Sequence, residues 1–229
     1  MPRYLTASLR SALIRLASTL PVGSPDRKAI LAGLSRKAFR DSNIPDKHIF
    51  GNAEVYDDAM VSDRAKVSDR ASVSDRAKVF GDAQVFENAR VYGRAKVYGR
   101  AKVGGEAEVL DEAAVWGNAK VYGKARVTDR AVVYDDAKVY GNTWVTGDAR
   151  VYDKAEVFDK AKLRDAAEVF GDAEVYGGAE VYGKAKVGGK AKVGGKARIG
   201  GNAVILGGTW DGSEGVYLSG DWKAPGVRG

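Results

Sequence analysis

Residues 115–138 read VWGNAK, VYGKAR, VTDRAV and VYDDAK, and this six-residue unit decides the fold. Every sixth residue from Ile49 to Ile205 is Val, Leu or Ile, which makes 27 positions in one unbroken register. The residue four places after each of them is Ala, except at Thr143 and Thr209. We call each six-residue unit a hexad, and we look for the structure that such a strict period allows.

A period of six suits a β-strand and excludes an amphipathic helix. On a helix, every sixth residue advances by about 240°, so the valines would spiral over three faces and define no core. On a strand the side-chain period of two divides six, so the Val and Ala positions always share one face. Gly, Asp or Glu follows two residues after each aliphatic residue and suits a bend. Each hexad is therefore predicted to form a short strand and a corner.

These hexads resemble the hexapeptide-repeat family of left-handed parallel β-helices, and more closely the bacterial and phage β-solenoid proteins written in Val-Tyr-Gly-Asn-Ala-Arg-like units. The resemblance covers residues 49–205 and implies three hexads in each triangular coil. At about 4.8 Å per stacked strand, nine such coils make a rod of about 43 Å. The predicted fold class is thus an all-β solenoid, a left-handed parallel β-helix of about nine triangular coils, with an N-terminal α-helical hairpin and a short C-terminal cap.

The N-terminal region, residues 1–46, is predicted to be the helical hairpin. A second helix is expected to start with Ser24 as its N-cap and Pro25 as its first residue. The hairpin can pack on itself, on the first coil or on another subunit, and docking to a partner or a membrane surface is the alternative. The apolar stripe of the first helix, a candidate assembly surface, consists of Leu5, Leu9, Leu13, Leu16 and Leu20.

The β-helix is predicted to span residues 47–208, and residues 209–229 abandon its pattern. Trp210 and Trp222 lie in this last segment, together with Asp211-Gly212 and Ser219-Gly220. We interpret it as a hairpin-like cap or, second, as an exposed adhesive tail. Since the ends of a solenoid carry unpaired backbone groups, some cap is expected at each end.

Aromatic residues recur at the position directly after the aliphatic one, and a coil of three hexads stacks them into two outer columns. Such columns can simply stabilise the solenoid by stacking, or they can form an interface with a partner. The first column consists of Phe80, Tyr98, Trp116, Tyr134, Tyr152 and Phe170. The second consists of Phe86, Tyr122, Tyr140, Phe158 and Tyr176, with Gly104 between the first two rings.

The charge is concentrated at the N-terminus. Residues 1–48 carry nine Lys and Arg against three Asp, which accounts for most of the formal net charge of +7. A column of Lys66, Gln84, Lys102, Lys120 and Lys138 is expected beside the second aromatic column, but residues 49–208 hold 26 basic and 24 acidic residues. A solvated surface of mixed sign is therefore predicted, and nucleic-acid binding is not.

The composition also bears on the cellular location of the protein. The chain has no Cys, so disulfides and thiolate metal sites are excluded, and no apolar stretch approaches the length of a membrane-spanning helix. We expect a cytoplasmic or virion- and assembly-associated protein. The alternative is mitochondrial-type targeting, because the segment from Met1 to Pro25 contains Arg, Ser and Leu but no acid.

Enzymes of the hexapeptide-repeat family use features that this sequence lacks. The acyltransferases generally use a His base and loops that interrupt the coils, and the carbonic anhydrases bind zinc through three His. The chain has one His, His48, just before the first coil, and no insertion among its 27 hexads. One His cannot form a three-His zinc site within a chain. We expect no catalytic residue, metal or cofactor, and we expect His48 to be a surface or capping residue.

The sequence favours a non-enzymatic scaffold, a rigid rod that associates with copies of itself. A homotrimer or a larger assembly is expected from the family resemblance, and a phage or bacterial surface component fits the same resemblance. A binding module that holds a glycan or a protein on its aromatic columns is the alternative. A hexapeptide-type acyltransferase is the third hypothesis.

Overall fold

The computed structural model describes residues 48–213, 216–217 and 221–222. Within these residues the chain is a parallel β-solenoid of about nine coils, which confirms the predicted fold class. Strands of two residues follow one another at the period of the hexad, and every third strand joins the same sheet. The predicted helical hairpin, with the stripe from Leu5 to Leu20, lies outside the described residues.

Three sheets form the sides of the solenoid. Sheet I contains β1 Glu54–Val55, β4 Ser72–Val73, β7 Arg90–Val91, β10 Glu108–Val109, β13 Arg126–Val127, β16 Trp144–Val145, β19 Lys162–Leu163, β22 Glu180–Val181, β25 Arg198–Ile199 and β28 Val216–Tyr217. Sheet II contains β2 Met60–Val61, β5 Lys78–Val79, β8 Lys96–Val97, β11 Ala114–Val115, β14 Val132–Val133, β17 Arg150–Val151, β20 Glu168–Val169, β23 Lys186–Val187, β26 Val204–Ile205 and β29 Asp221–Trp222. Sheet III contains β3 Lys66–Val67, β6 Gln84–Val85, β9 Lys102–Val103, β12 Lys120–Val121, β15 Lys138–Val139, β18 Glu156–Val157, β21 Glu174–Val175, β24 Lys192–Val193 and β27 Thr209–Trp210.

The core consists of the aliphatic and small residues of the hexads. From Ala65 to Ile205 every one of these side chains is fully buried, including Thr143 in place of an Ala. Each buried Val contributes on the order of 1.5 to 3 kcal/mol, and the small Ala leaves room for three sheets to approach one another. The pattern of one large and one small inward residue per hexad therefore specifies the cross-section of the rod.

Backbone hydrogen bonds join each coil to the next along the described part of the rod. Within one hexad, the N–H of Arg64 donates to the carbonyl of Gly81 at 2.9 Å, and the N–H of Lys66 donates to the carbonyl of Ala83 at 2.9 Å. The N–H of Ser68, the residue after strand β3, donates to the carbonyl of Val85 at 2.9 Å. Because corners as well as strands are bonded, each coil is held along its whole perimeter.

Every corner turns through one residue in the left-handed backbone region. Eleven of these residues are not Gly: ten are Asp and one is Glu87, with φ between 56° and 62°. Asp tolerates this conformation better than most residues, which explains why Gly and Asp occupy nearly all positions predicted to form a corner.

The segment after residue 208 continues the three sheets instead of forming a hairpin. Strands β27, β28 and β29 pair in parallel with β24, β25 and β26, so the C-terminal cap consists of one short strand per sheet. Up to this point, residues paired between successive coils are three hexads apart in the sequence. Lys192 pairs with Thr209 and Val193 with Trp210, so here the separation is one residue shorter. Trp210 thereby takes the place of a core Val and is only 5% exposed.

Candidate functional site

The first aromatic column forms a continuous stack along the corner between sheets II and III. Successive ring centroids lie 4.8, 5.9, 4.6, 5.0 and 5.4 Å apart, and neighbouring planes deviate from parallel by only 2 to 12°. The structure thus brings together all six residues of the predicted column: Phe80, Tyr98, Trp116, Tyr134, Tyr152 and Phe170.

The second aromatic column lies along the corner between sheets III and I and is interrupted at Gly104 and again between Tyr122 and Tyr140, whose rings do not stack. Tyr140, Phe158 and Tyr176 stack with centroids 5.1 and 5.4 Å apart. Phe86 instead tilts over Gly104 and meets Tyr122, two coils away, edge to face at 6.0 Å and 66°. The ring of Phe86, from the preceding coil, therefore fills the space that a side chain at Gly104 would occupy.

Both columns consist of half-buried rings, and in the first column and the stack of Tyr140, Phe158 and Tyr176 the ring faces lie against their neighbours. Because the stacking direction follows the rod, the rings present mainly their edges to solvent. At the C-terminal end of each stack, the last ring rests on a glycine of the next coil: Phe170 on Gly188 and Tyr176 on Gly194. The rings are thus bound chiefly within the rod itself.

Two tyrosine hydroxyls connect the columns to acids on the adjacent faces. The hydroxyl of Tyr140 donates to Glu156 at 3.0 Å, and that of Tyr152 donates to Glu168 at 3.2 Å. Burial, reinforced by these carboxylates, raises the pKa of both tyrosines to about 12. The ammonium of Lys138, 2.7 Å from Glu156, holds the pKa of that carboxyl below its ordinary value.

The acids at the corners bind backbone of the next coil. The carboxylate of Asp63 accepts the N–H of Gly81 at 2.8 Å, and the carboxylate of Asp153 accepts that of Gly171 at 2.9 Å. The same contact recurs at several corners of the rod, and Glu87 reproduces it with Gly105. Sequence reasoning assigned these acids to the corners but missed that their side chains link successive coils.

The charged side chains on the faces also pair from coil to coil. Glu108, only 8% exposed, lies between Arg90 and Arg126, and Arg126 is 2.8 Å away. Glu180 likewise has three cations around it, Lys162, Arg164 and Arg198, at 3.3 to 3.6 Å. On the outer face of sheet I, each of these two acids is therefore shared by more than one cation.

The predicted lysine column is present on the face of sheet III. Lys66, Gln84, Lys102, Lys120 and Lys138 are consecutive partners in the sheet register. Two acids, Glu156 and Glu174, continue the same column.

Trp144 is an aromatic residue that lies outside both predicted columns. It lies in β16 on the flat face of sheet I, not at a corner, and it is 45% exposed. Arg126 precedes it and Lys162 follows it in the register, and the Arg126 guanidinium lies 5.5 Å from the indole centroid. Its hexad also departs from the pattern at Thr143, whose buried hydroxyl donates to the carbonyl of Tyr140 at 2.6 Å. Thr in place of Ala and Trp at the outward strand position of one hexad were the features by which the sequence could have indicated this site.

A shallow groove of about 400 Å³ lies on the face of sheet III. Acids outnumber lysines in its lining, so it is an electronegative surface. The groove is lined by Asp136, Glu156, Asp172 and Glu174, together with Lys138 and Lys154.

His48 is part of the first coil's packing. It is 4% exposed, and its Nδ1 lies 2.9 Å from the carbonyl oxygen of Ala65. This position agrees with the capping alternative predicted for it. Among the described residues, no three His, Asp or Glu side chains are grouped to hold a metal ion, and no helix reaches the length and apolarity of a bilayer span.

The comparisons with known proteins add no relative from which a role could be transferred. No protein-family model and no curated protein sequence matches the chain. The functional argument therefore depends on the rod's own contacts.

Proposed function

We propose that this chain is a non-enzymatic structural protein, a rigid rod that acts as a scaffold and associates with copies of itself. The observation that carries the proposal is that the outward side chains are used to join coil to coil. Rings stack in columns, corner carboxylates bind the next corner, and face charges pair with the next coil. A surface built in this way stiffens the solenoid.

The rigidity follows from the number of contacts that bending would break. Tilting one coil against the next separates stacked rings on one side and corner hydrogen bonds on another. A single ring pair contributes about 0.5 to 1.5 kcal/mol beyond its burial, and a hydrogen bond to a charged group about 1.5 to 3 kcal/mol. Repetition of these contacts in each coil makes the rod suited to hold its two ends at a fixed separation.

The alternative of a glycan-binding module receives less support from the same geometry. A sugar binds an aromatic side chain by lying on its face, and neighbouring rings occupy the faces within the first column and within the stack of Tyr140, Phe158 and Tyr176. The ring edges that remain outward are better suited to packing against another protein surface.

The enzyme hypothesis depends on His48, and the position of this residue favours a structural role. A general base must reach a substrate proton, whereas the His48 ring is buried against the backbone of Ala65. Acyl-CoA turnover by the full chain that is abolished by His48→Ala, with the fold retained, would contradict the proposal.

Self-association is tested by the solution mass of the full chain, measured by light scattering over a concentration series. A mass well above 24.4 kDa, corresponding to a trimer or a larger assembly, is expected. A strict monomer at every concentration would contradict the self-associating scaffold and favour a binding module. A phage or bacterial surface assembly is the setting that fits such a rod.

A further inference from the structure

Trp144 is exposed at an unusual place. Phe50, Met60 and Leu206, the other large apolar residues that are exposed in the described part of the chain, lie in the first or last coils. Trp144 lies in the middle of the rod, where every ring of the two columns is at least partly covered. A 45% exposed indole on a flat face is characteristic of an anchor that becomes buried in a complex.

The surroundings of Trp144 are cationic. Its neighbours in the sheet register are Arg126 and Lys162, and Lys160 is exposed at the edge of the same face. Glu108 and Glu180 are the acids on this face that pair with these cations, and each is shared with further cations. A partner surface for Trp144 should therefore be electronegative.

The groove on sheet III provides such a surface on the same molecule. Four acids and two lysines line it. Strand β16, which carries Trp144, directly follows β15 and precedes β18, and these two strands carry the groove residues Lys138 and Glu156. The indole and the groove therefore lie at nearly the same height along the rod, on two different sides.

We propose that Trp144 of one chain inserts into the Asp136–Glu174 groove of a second copy, with the two rods parallel and in register. This inference rests on the proposed self-association and names the surfaces that carry it. The cations around Trp144 on sheet I then lie against the acid-rich groove on sheet III, and the contact is heterologous: one copy contributes the indole and the other the groove.

The contact also limits the symmetry of the assembly. Each side of a coil is one hexad, so the cross-section approximates an equilateral triangle whose faces meet at about 60°. Parallel rods that join face I to face III are then rotated by about 60° from one to the next, and a heterologous contact of this kind closes after about six copies. A ring of about six rods, larger than the trimer suggested by the family resemblance, is expected.

Single-site variants test the two surfaces separately. Trp144→Ala on face I and Asp172→Lys in the groove should each weaken association about thirtyfold or more, as loss of an interface anchor does. Lys96→Glu is the control: it reverses one exposed charge on the outer face of sheet II, which takes no part in the inferred contact. It should leave the mass unchanged. Circular dichroism and thermal unfolding establish that every variant retains the solenoid.

A charge exchange gives the decisive result. One chain carries Lys160→Glu and Lys162→Glu, so that both the surroundings of its Trp144 and its groove are negative. A second carries Asp136→Lys and Asp172→Lys, so that both are positive. Each chain alone should be monomeric, and an equimolar mixture should restore the assembly with the two chains alternating.

The outcomes separate this inference from the proposed function. If the unaltered chain assembles but Trp144→Ala and Asp172→Lys assemble equally well, the inferred surfaces are wrong and self-association stands. A folded pair of charge-exchange chains that remains monomeric when mixed would likewise overturn the inferred contact. A monomeric unaltered chain would overturn both.

Discussion

The ring of Phe170 lies directly over Gly188, one coil further along the rod. A Cβ built on Gly188 would be 2.3 Å from Cζ of Phe170, closer than any real contact allows. The glycine therefore leaves the space that the last ring of the first aromatic column occupies, and the other face of this ring stacks on Tyr152.

Replacing Gly188 with Ala should displace the Phe170 ring and loosen its stack on Tyr152. The expected loss is about 1 kcal/mol in the free energy of unfolding, from one aromatic pair and an off-rotamer side chain. Gly207→Ala is the control, since a Cβ there meets nothing within 4 Å. Equal effects of the two substitutions on denaturant unfolding would show that the ring does not rest on Gly188.

A series at Asp153 separates the two roles of a corner acid. This residue has φ of 57°, and its carboxylate accepts the N–H of Gly171. Asp153→Asn keeps both the conformation and an acceptor and should be nearly neutral. Asp153→Gly loses the bond alone, and Asp153→Ala adds backbone strain, for a total of about 2 to 3 kcal/mol. Thermal unfolding should rank the variants in the order Asn, Gly, Ala; Ala as stable as Gly would contradict the strain argument.

Glu108 should matter more than an ordinary surface acid. Because it is nearly buried between Arg90 and Arg126, Glu108→Gln is expected to cost about 1 to 3 kcal/mol of unfolding free energy. Glu112→Gln is the comparison, since Glu112 pairs with Arg94 at 3.0 Å but its side chain is 53% exposed, and such pairs contribute at most about 1 kcal/mol. Urea unfolding of both variants measures the difference, and a smaller effect at Glu108 would contradict its role as a shared partner.

The tyrosines of the columns predict a loss of stability at alkaline pH. Tyr140 and Tyr152 have their pKa raised to about 12 in the folded chain, whereas an unfolded Tyr ionises near its ordinary value of 10.0. Their contribution is complete below pH 10 and is lost as pH rises towards about 12, because the unfolded chain releases these protons first. Ultraviolet titration at 295 nm measures the ionisation of the tyrosines. Tyr140→Phe and Tyr152→Phe should each remove one late-ionising group from the titration curve of the folded chain. Ionisation of both tyrosines near pH 10 in the folded chain would contradict the buried hydroxyls.

The period of six was sufficient to predict short strands, corners and the inward residues, and the family resemblance supplied three hexads per coil. The Val and Ala positions, from Ala65 to Ile205, are the core that the structure contains, and the three sheets correspond to three hexads per coil. The composition of both aromatic columns could be read in the same way, because a fixed period maps sequence position directly onto height and side.

The sequence was insufficient wherever a side chain leaves its own coil. The tilt of Phe86 over Gly104, the corner carboxylates and the sharing of Glu180 among three cations all depend on side-chain direction, which a repeat does not encode. The prediction of a hairpin-like cap was wrong, because the last strands, β28 and β29, pair in parallel with β25 and β26 instead of with each other. Trp144 was overlooked because it lies outside the aromatic columns.

The most direct test of the central claim is electron microscopy of the purified full chain. The scaffold account predicts particles in which three or more short rods lie side by side, and the contact inferred for Trp144 predicts about six parallel rods with their ends level. Isolated single rods at all concentrations would contradict it, because a rod that never meets its own copies does not assemble a scaffold.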